Sequence, residues 1–405
     1  MKFIITSITP WDFPMGNNAK NIAEELSKKH QVLYVNPPLD RISAWKEHKS
    51  DAVKVRKGVL NNKIPHVQQV NQNLWVLNPP VIIESINWIQ NKWLFRYLNK
   101  INNQKIANAI QMTCSEIGFD AYYIVNDSDM FRGFHLKEML QPIKYMYYSR
   151  DNLMGVAYWK KHGLVMEPEL IAKSDVAVAN SMYLTDYLLQ YNPNSFFVGQ
   201  GCDLELFSKQ QYSKPNELDS INGPIIGYTG ALSSKRLDIH LLEEIVNCKP
   251  HWNFVFIGPE DDDFKSSKLH SFTNVYFLGN KPIAELPNYI SHFDACINPQ
   301  LVNEITIGNY PRKVDEYLAI GKPVIATYTK GMDLFSKVTY LGQGVEAFIQ
   351  NIEKALFENN EVLISKRKAV ANSHSWKNNV QQILNALLKG NGVKIRNNSS
   401  EPARI

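Results

Sequence analysis

The stretch Gly308-Asn309-Tyr310-Pro311-Arg312-Lys313-Val314-Asp315-Glu316-Tyr317-Leu318-Ala319-Ile320-Gly321-Lys322-Pro323-Val324-Ile325-Ala326-Thr327 decides how the rest of the chain is understood. Pro311 suits the first turn of a helix, where a missing N–H costs nothing. Val314, Tyr317 and Leu318 recur at helical spacing and give one apolar face. Gly321 supplies the stop, and Pro323-Val324-Ile325-Ala326 has the character of a short buried strand. Arg312 and Lys313 fall in the first turn, where the helix dipole repels cations, so an anion nearby would offset that cost. Glu316, one turn on, reaches the hydroxyls of whatever carries the anion. A phosphate joined to a polyhydroxy group describes a nucleotide sugar. The plainer alternative is an amphipathic helix with a solvated, charged end.

The run Pro311-Arg312-Lys313-x-x-Glu316-Tyr317-Leu318-Ala319-x-Gly321-Lys322-Pro323-Val324 resembles the donor-binding helix of glycosyltransferases of the GT-B fold. The resemblance implies an α/β chain of two Rossmann-like, doubly wound parallel-sheet domains facing across a cleft. It also implies that Glu316 holds the donor ribose. Many retaining members carry a second glutamate eight residues earlier; here that position is Gly308, with Glu304 four residues further back. The stereochemical class therefore stays open. The opening Pro10-Trp11-Asp12-Phe13-Pro14…Gly16-Asn17-Asn18 and the closing Pro311–Val324 together look like bacterial cell-surface polysaccharide transferases, the teichuronic acid type included.

The totals agree with two domains. A chain of 405 residues accommodates two units of about 200 residues. Apolar content of 44% and charged content of 20% fit a globular protein. Cys114, Cys202, Cys248 and Cys296 form no Cys-x-x-Cys pair, which argues against a disulfide framework or zinc site and for a reducing, cytoplasmic compartment. The net charge of +5 sits in the first half; residues 44–105 hold 10 Lys+Arg against 3 Asp+Glu. Such a patch points to an anionic partner, either a membrane surface or a phosphorylated acceptor. No nucleic-acid partner is expected. The segment Ile83 to Leu98 mixes Trp, Phe and Tyr with Lys92 and Arg96. That composition suits an interfacial helix on the inner membrane face, or a core helix with snorkelling basic tips.

Alternating strand and helix signals place an N-terminal acceptor-binding domain at 1–207, a polar linker at 208–222 and a C-terminal nucleotide-sugar domain at 223–374. A helix at 375–390 would cross back to the first domain, leaving a tail at 391–405. Five strand signals in the second half, at Ile225, Asn253, Val275, Ala295 and Val324, make the second sheet.

Candidate donor-binding residues are Gly16, in the loop after the first strand, then Thr229, Gly230, Gly258 and Asn298 at strand ends, with Lys235, Arg236, Lys313 and Glu316. Lys235 and Arg236 are expected at the start of a helix, where they would clamp the two phosphates of the leaving nucleoside diphosphate. These cations can neutralise the diphosphate without a metal, and no cofactor is expected. Asp12, Asp127 and Asp151 follow strands on the acceptor side and are the candidate general bases, Asp151 foremost. Nothing supports a nucleophilic elbow or a Walker loop. The expected activity is transfer of a hexosyl group from a nucleoside-diphosphate sugar to a saccharide or lipid-linked acceptor. A UDP-sugar epimerase of the same fold, or a catalytically silent binding subunit, are the alternatives.

Overall fold

The computed structural model describes residues 1–13, 17–47, 49–209 and 211–389; Gly16 and the tail at 391–405 lie outside the described residues. The first sheet runs, edge to edge, Ser195–Phe197, Val176–Ala179, Tyr145–Ser149, Tyr123–Asp127, Lys2–Ser7, Gln31–Val35, Leu74–Leu77, Val67–Asn71. Every pairing is parallel except the last, where Val67–Asn71 folds back on Leu74–Leu77 as an antiparallel edge hairpin. The second sheet is wholly parallel: Val275–Phe277, Asn253–Ile257, Ile225–Thr229, Ala295–Asn298, Val324–Thr327, Tyr340–Gly342. In each sheet the chain starts in the interior, builds to one side, then jumps back and builds to the other. That reversal leaves a crevice at the carboxyl ends of the two strands flanking the jump, the place where open α/β sheets bind ligands.

The strands are apolar on both faces because helices cover both. Ile22, Ala23 and Leu26 of the helix Asn18–Ser27 pack on one face of the first sheet, and Ile106 and Ile110 of the helix Lys92–Ile117 on the other. The latter helix begins only at Lys92, where the Asn91 side chain accepts from Leu94 N at 3.0 Å. The aromatic segment from Ile83, expected to be helical, is thus non-helical up to this cap.

Two crossings join the domains. Cys202, Leu204 and Phe207 already pack in the core of the second domain, so the first crossing falls near Gly201. Leu218 and Ile221 are buried in the same core, so the stretch 208–222 is not a free linker at its C-terminal end. The chain returns at His374–Ser375, where Cys202 N donates to His374 O at 2.8 Å. The helix Trp376–Lys389 then buries Val380, Ile383, Leu384 and Leu387 among Phe3, Ile5, Ala19 and Ile22 of the first domain. Asn379 fastens its first turn by donating to the carbonyls of Val198 (3.0 Å) and Gly199 (2.8 Å). No described helix is long and apolar enough to cross a membrane.

Candidate active site

The crevice of the second domain lies where Ile225–Thr229 and Ala295–Asn298 diverge. Thr229 ends its strand buried, with its backbone N–H donating to Tyr317 Oη at 2.8 Å. That bond ties the strand to the helix Arg312–Ile320, which Gly321 terminates at φ +94°. Gly230 (φ +126°) and Gly258 (φ +148°) follow, both in backbone conformations that a side chain would strain. A Cβ on Gly258 would overlap the Gly230 carbonyl, and one on Gly230 would sit 2.9 Å from Lys313 Nζ. Two missing side chains therefore let two loops and one lysine converge. Gly258→Ala is expected to cost about 1–3 kcal/mol by displacing the Gly230 turn, and thermal melting of that variant checks the loss.

Lys313, in the first turn of the short helix, donates to Tyr228 Oη and stands 4.0 Å above the Tyr228 ring. Arg312, beside it, has a buried Nε without a hydrogen-bond partner among the described residues. Glu316, one turn on, makes no side-chain hydrogen bond or ion pair among them, and it is half-buried. Burial pushes its carboxyl above the ordinary range, although Arg312 and Lys313 pull the other way. Unpaired charges this close to a protein interior are costly, and they collect where a ligand completes them.

The same helix is anchored from behind. Asp315, fully buried, accepts from Tyr310 Oη (2.6 Å) and Cys202 Sγ (3.2 Å) and pairs with His374 Nδ1 (2.7 Å). Burial first, and then Asp315, hold the Tyr310 hydroxyl and Cys202 thiol protonated, far above their usual ranges. Cys202 and His374 belong to the two interdomain crossings, so the helix Arg312–Ile320 is fixed to both connectors at once.

Lys235 and Arg236 are not in a helix. They occupy a turn in which Arg236 N and Leu237 N both donate to Ser233 O, and the helix starts two residues later at Ile239. Asp238 takes the N-cap, accepting from Leu241 N at 3.0 Å, which fixes the helix start downstream of the basic pair. Their backbone is held by the loop after Asn298: Asn303 Nδ2 donates to Lys235 O (3.0 Å) and Leu301 N to Arg236 O (2.8 Å). Both side chains are exposed and make no ion pair among the described residues. Asn298 is buried at the end of its strand, 3.5 Å from Gln300 Oε1. Gln300 in turn donates to Thr306 O at 2.9 Å, so Asn298 backs the loop.

On the first domain the reversal point holds Ser7, Asp127 and Arg150. Asp127 is 1% exposed; Arg150 grips both of its oxygens (Nη2 to Oδ2 2.9 Å), and Ser7 Oγ donates at 2.7 Å. Both carboxylate oxygens of Asp127 are thus occupied by Arg150 and Ser7, the arrangement of a structural partner. Asp12 is likewise held, by Arg56 in a two-pronged pair at 3.0 and 3.2 Å. Asp151 alone of the three makes no side-chain hydrogen bond or ion pair among the described residues. It lies where the domains touch. Its neighbour Asn152 donates to Glu304 O at 2.8 Å, and Lys160 pairs with the Glu304 carboxylate at 3.0 Å. Gly308 O accepts from Ser181 Oγ at 3.0 Å, and a side chain at 308 would press on Tyr183 and Leu184 at 3.1–3.2 Å. Gly308 is therefore a packing position between domains, and Glu304 an interdomain ion-pair partner. Among the described residues no three His, Cys, Asp or Glu side chains cluster to hold a metal ion.

Sequence reasoning missed Tyr228, Tyr317, Ser7 and Arg56. Tyr228 and Tyr317 act by reaching across from one element to another, and only the alternation of the strand Ile225–Thr229 hinted at the first.

Two doubly wound sheets, joined by a double crossing and facing across this junction, define the GT-B fold of glycosyltransferases. Residues 223–358 match the family model described as Glycosyl transferases group 1. TuaH of Bacillus subtilis (strain 168), a provisionally named teichuronic acid biosynthesis glycosyltransferase, is 29% identical over 249 residues; the match spans 58% of this chain and 62% of that protein's length. Among solved structures, the sucrose-phosphate synthase of Thermosynechococcus elongatus superposes with a TM-score of 0.66 at 14% identity, covering 96% of this chain and 99% of that one. Anabaena HepE in complex with UDP superposes equally well (TM-score 0.66, 16% identity, 96% and 100% covered).

Proposed function

We propose that this chain transfers a hexosyl group from a UDP-sugar to a hydroxyl of a saccharide or lipid-linked acceptor during cell-surface polysaccharide synthesis. The observation that carries the reading is the group Arg312, Lys313 and Glu316, charged side chains without ion-pair partners among the described residues, on one short helix whose Lys313 meets the Gly230 turn. The complex of HepE with UDP and the name of TuaH support the donor and the pathway class. In this reading the diphosphate lies at the amino end of the helix Arg312–Ile320, where dipole and cations favour it. Glu316 accepts from the ribose hydroxyls. Lys313 and Arg312, joined by Lys235 or Arg236 from the facing turn, stabilise the charge that grows on UDP as the glycosidic bond breaks. Asp151 is assigned to the acceptor hydroxyl, on the opposite side of the junction. The basic surface of 44–105 would face anionic lipid on the cytoplasmic side.

Side chains, rather than a metal, neutralise the diphosphate in this proposal. Calorimetric titration in EDTA is expected to show UDP binding, weakened at least about tenfold by Lys313→Ala, which removes a charge-assisted contact of about 1.5–3 kcal/mol. Sugar release from a radiolabelled UDP-sugar panel should then depend on added acceptor. Absence of UDP binding, or activity that appears only with a divalent cation, sinks the corresponding half of the reading.

A further inference from the structure

A half-buried lysine in the first turn of a helix ordinarily needs a carboxylate partner, because the helix dipole and the lost hydration both disfavour its charge. Lys313 is such a lysine and has no ion pair among the described residues. Asp315 is turned away to Tyr310, Cys202 and His374, and Glu316 feels the charge of Lys313 without pairing with it. What Lys313 has instead is Tyr228. Its ammonium donates to Tyr228 Oη and lies 4.0 Å from the centre of the ring, close enough for the ring face to attract it as well.

Core packing does not require this contact. Tyr228, 1% exposed, belongs with Leu232, Leu237 and Phe256 to the core on one face of the second sheet. Val314, Tyr317 and Leu318 of the helix belong to the core on the other face. Lys313 therefore reaches from one layer to the other, past the end of the strand Ile225–Thr229. Gly230 leaves the passage open: a Cβ there would lie 2.9 Å from Lys313 Nζ, 3.3 Å from its Cε and 3.5 Å from Tyr228 Oη. The two side chains meet over a backbone that carries no side chain of its own.

The directions of the hydrogen bonds follow from the groups involved. An ammonium only donates, so Tyr228 accepts from it and gives its own proton elsewhere. That proton goes to Ala231 O at 3.2 Å. The relay from Lys313 through Tyr228 to Ala231 is thus one-way, and each bond polarises the next. Its far end is fixed, since Gly230 N donates to Ile257 O and Leu232 N to Pro259 O, both at 2.8 Å, on either side of Ala231. One N–H of Lys313 is spent on the phenol, and the other two have no acceptor among the described residues. A phenol is neutral, so it holds the ammonium in place and leaves its charge uncancelled. A carboxylate in the same place would hold it and cancel it.

We propose that Tyr228 is a positioning residue: it presents the Lys313 ammonium, oriented but not neutralised, to the diphosphate of the donor. The identity of the anion rests on the transferase reading; the tether between the two side chains does not. The test is a pair of double-variant cycles on the full chain, combining Lys313→Ala with Tyr228→Phe, which keeps the ring and deletes the hydroxyl. In calorimetric titration with UDP, Tyr228→Phe is expected to weaken binding about fivefold when Lys313 is present. In the Lys313→Ala background the same change should cost less than about twofold, because Tyr228 acts through the lysine. A merely structural tyrosine would cost the same in both. The second cycle follows urea unfolding without ligand. There the double variant's change in the unfolding constant should fall short of the product of the single changes by at least about threefold. Tyr228→Phe binding UDP as tightly as the parent, or losing affinity equally in both backgrounds, overturns the positioning role. Single changes that simply multiply in urea overturn the tether itself. A parent protein that binds no UDP while the urea cycle stays coupled sinks the transferase reading, and the diphosphate with it, but upholds the tether, so the two failures are separable.

Discussion

Replacing Glu316 by Gln is expected to lower sugar transfer about 30-fold or more while raising the melting temperature. The two effects share one cause. The carboxylate is half-buried, makes no ion pair or side-chain hydrogen bond among the described residues, and has its pKa pushed up by burial against the pull of Arg312 and Lys313. An ionised group in that position destabilises the free protein, and in the proposed reading the donor hydroxyls are what satisfy it. Gln keeps the shape and loses the charge, so the folded state should gain about 1 kcal/mol; that corresponds to roughly 2–4 °C for a domain of this size. A charge-assisted bond made to the ribose and lost in the variant is worth about 2–3 kcal/mol, or 30- to 100-fold and more. The pH dependence has a definite sign. With a folded pKa above the unfolded one, the native state binds more protons between the two values, so this group's contribution to stability falls as pH rises through that window. The gain from Glu316→Gln should therefore be larger at pH 7.5 than at pH 4.5. A variant that melts earlier than the parent would show that Glu316 has a protein partner. Unimpaired transfer would show that it touches no substrate.

What the sequence discloses here is whatever depends on local period. The helix Arg312–Ile320 and its stop at Gly321 fall where the apolar spacing puts them, and strands start at Ile225, Asn253, Val275, Ala295 and Val324, where their signals lie. Elements without a burial signature escape. Val67–Asn71 is a mostly exposed edge strand, and Tyr340–Gly342 is three half-buried residues long. The basic pair Lys235–Arg236 misleads because the stronger N-cap, Asp238, lies downstream. At the site, Lys313 and Glu316 are legible because one helix fixes both. Asp127 and Asp151 look equivalent along the chain, each at the end of a parallel strand. Their difference arises only in the sheet, which lays Asp127 against Tyr148 and so brings Arg150 onto one carboxylate and leaves the other without a partner.

That pairing carries the second large effect. Arg150→Met should destabilise the first domain by about 3–5 kcal/mol, because it leaves Asp127 ionised and 1% exposed with only Ser7 donating to it. Burial alone would lower the pKa of Arg150, but the charges of Asp127 and then Asp151 override it and hold the guanidinium above its already high ordinary range. The expected readout is a fall in melting temperature of about 10 °C, with guanidinium titration giving the same sign. Arg150→Lys keeps the charge and loses the two-pronged geometry, so it should fall between the parent and Arg150→Met. Removing both charges together, as Arg150→Met with Asp127→Leu, should recover most of the loss, since a buried pair replaced by apolar groups is often neutral or better. The double variant also separates scaffold from chemistry. If Asp127 serves only to hold Arg150 and the strand ends beneath Asp151, the double variant should regain stability and keep measurable transfer. If Asp127 were the proton acceptor, stability would return and transfer would not. An Arg150→Met protein as stable as the parent would mean that the carboxylate finds another partner, and the assignment of Asp127 to the scaffold would fall with it.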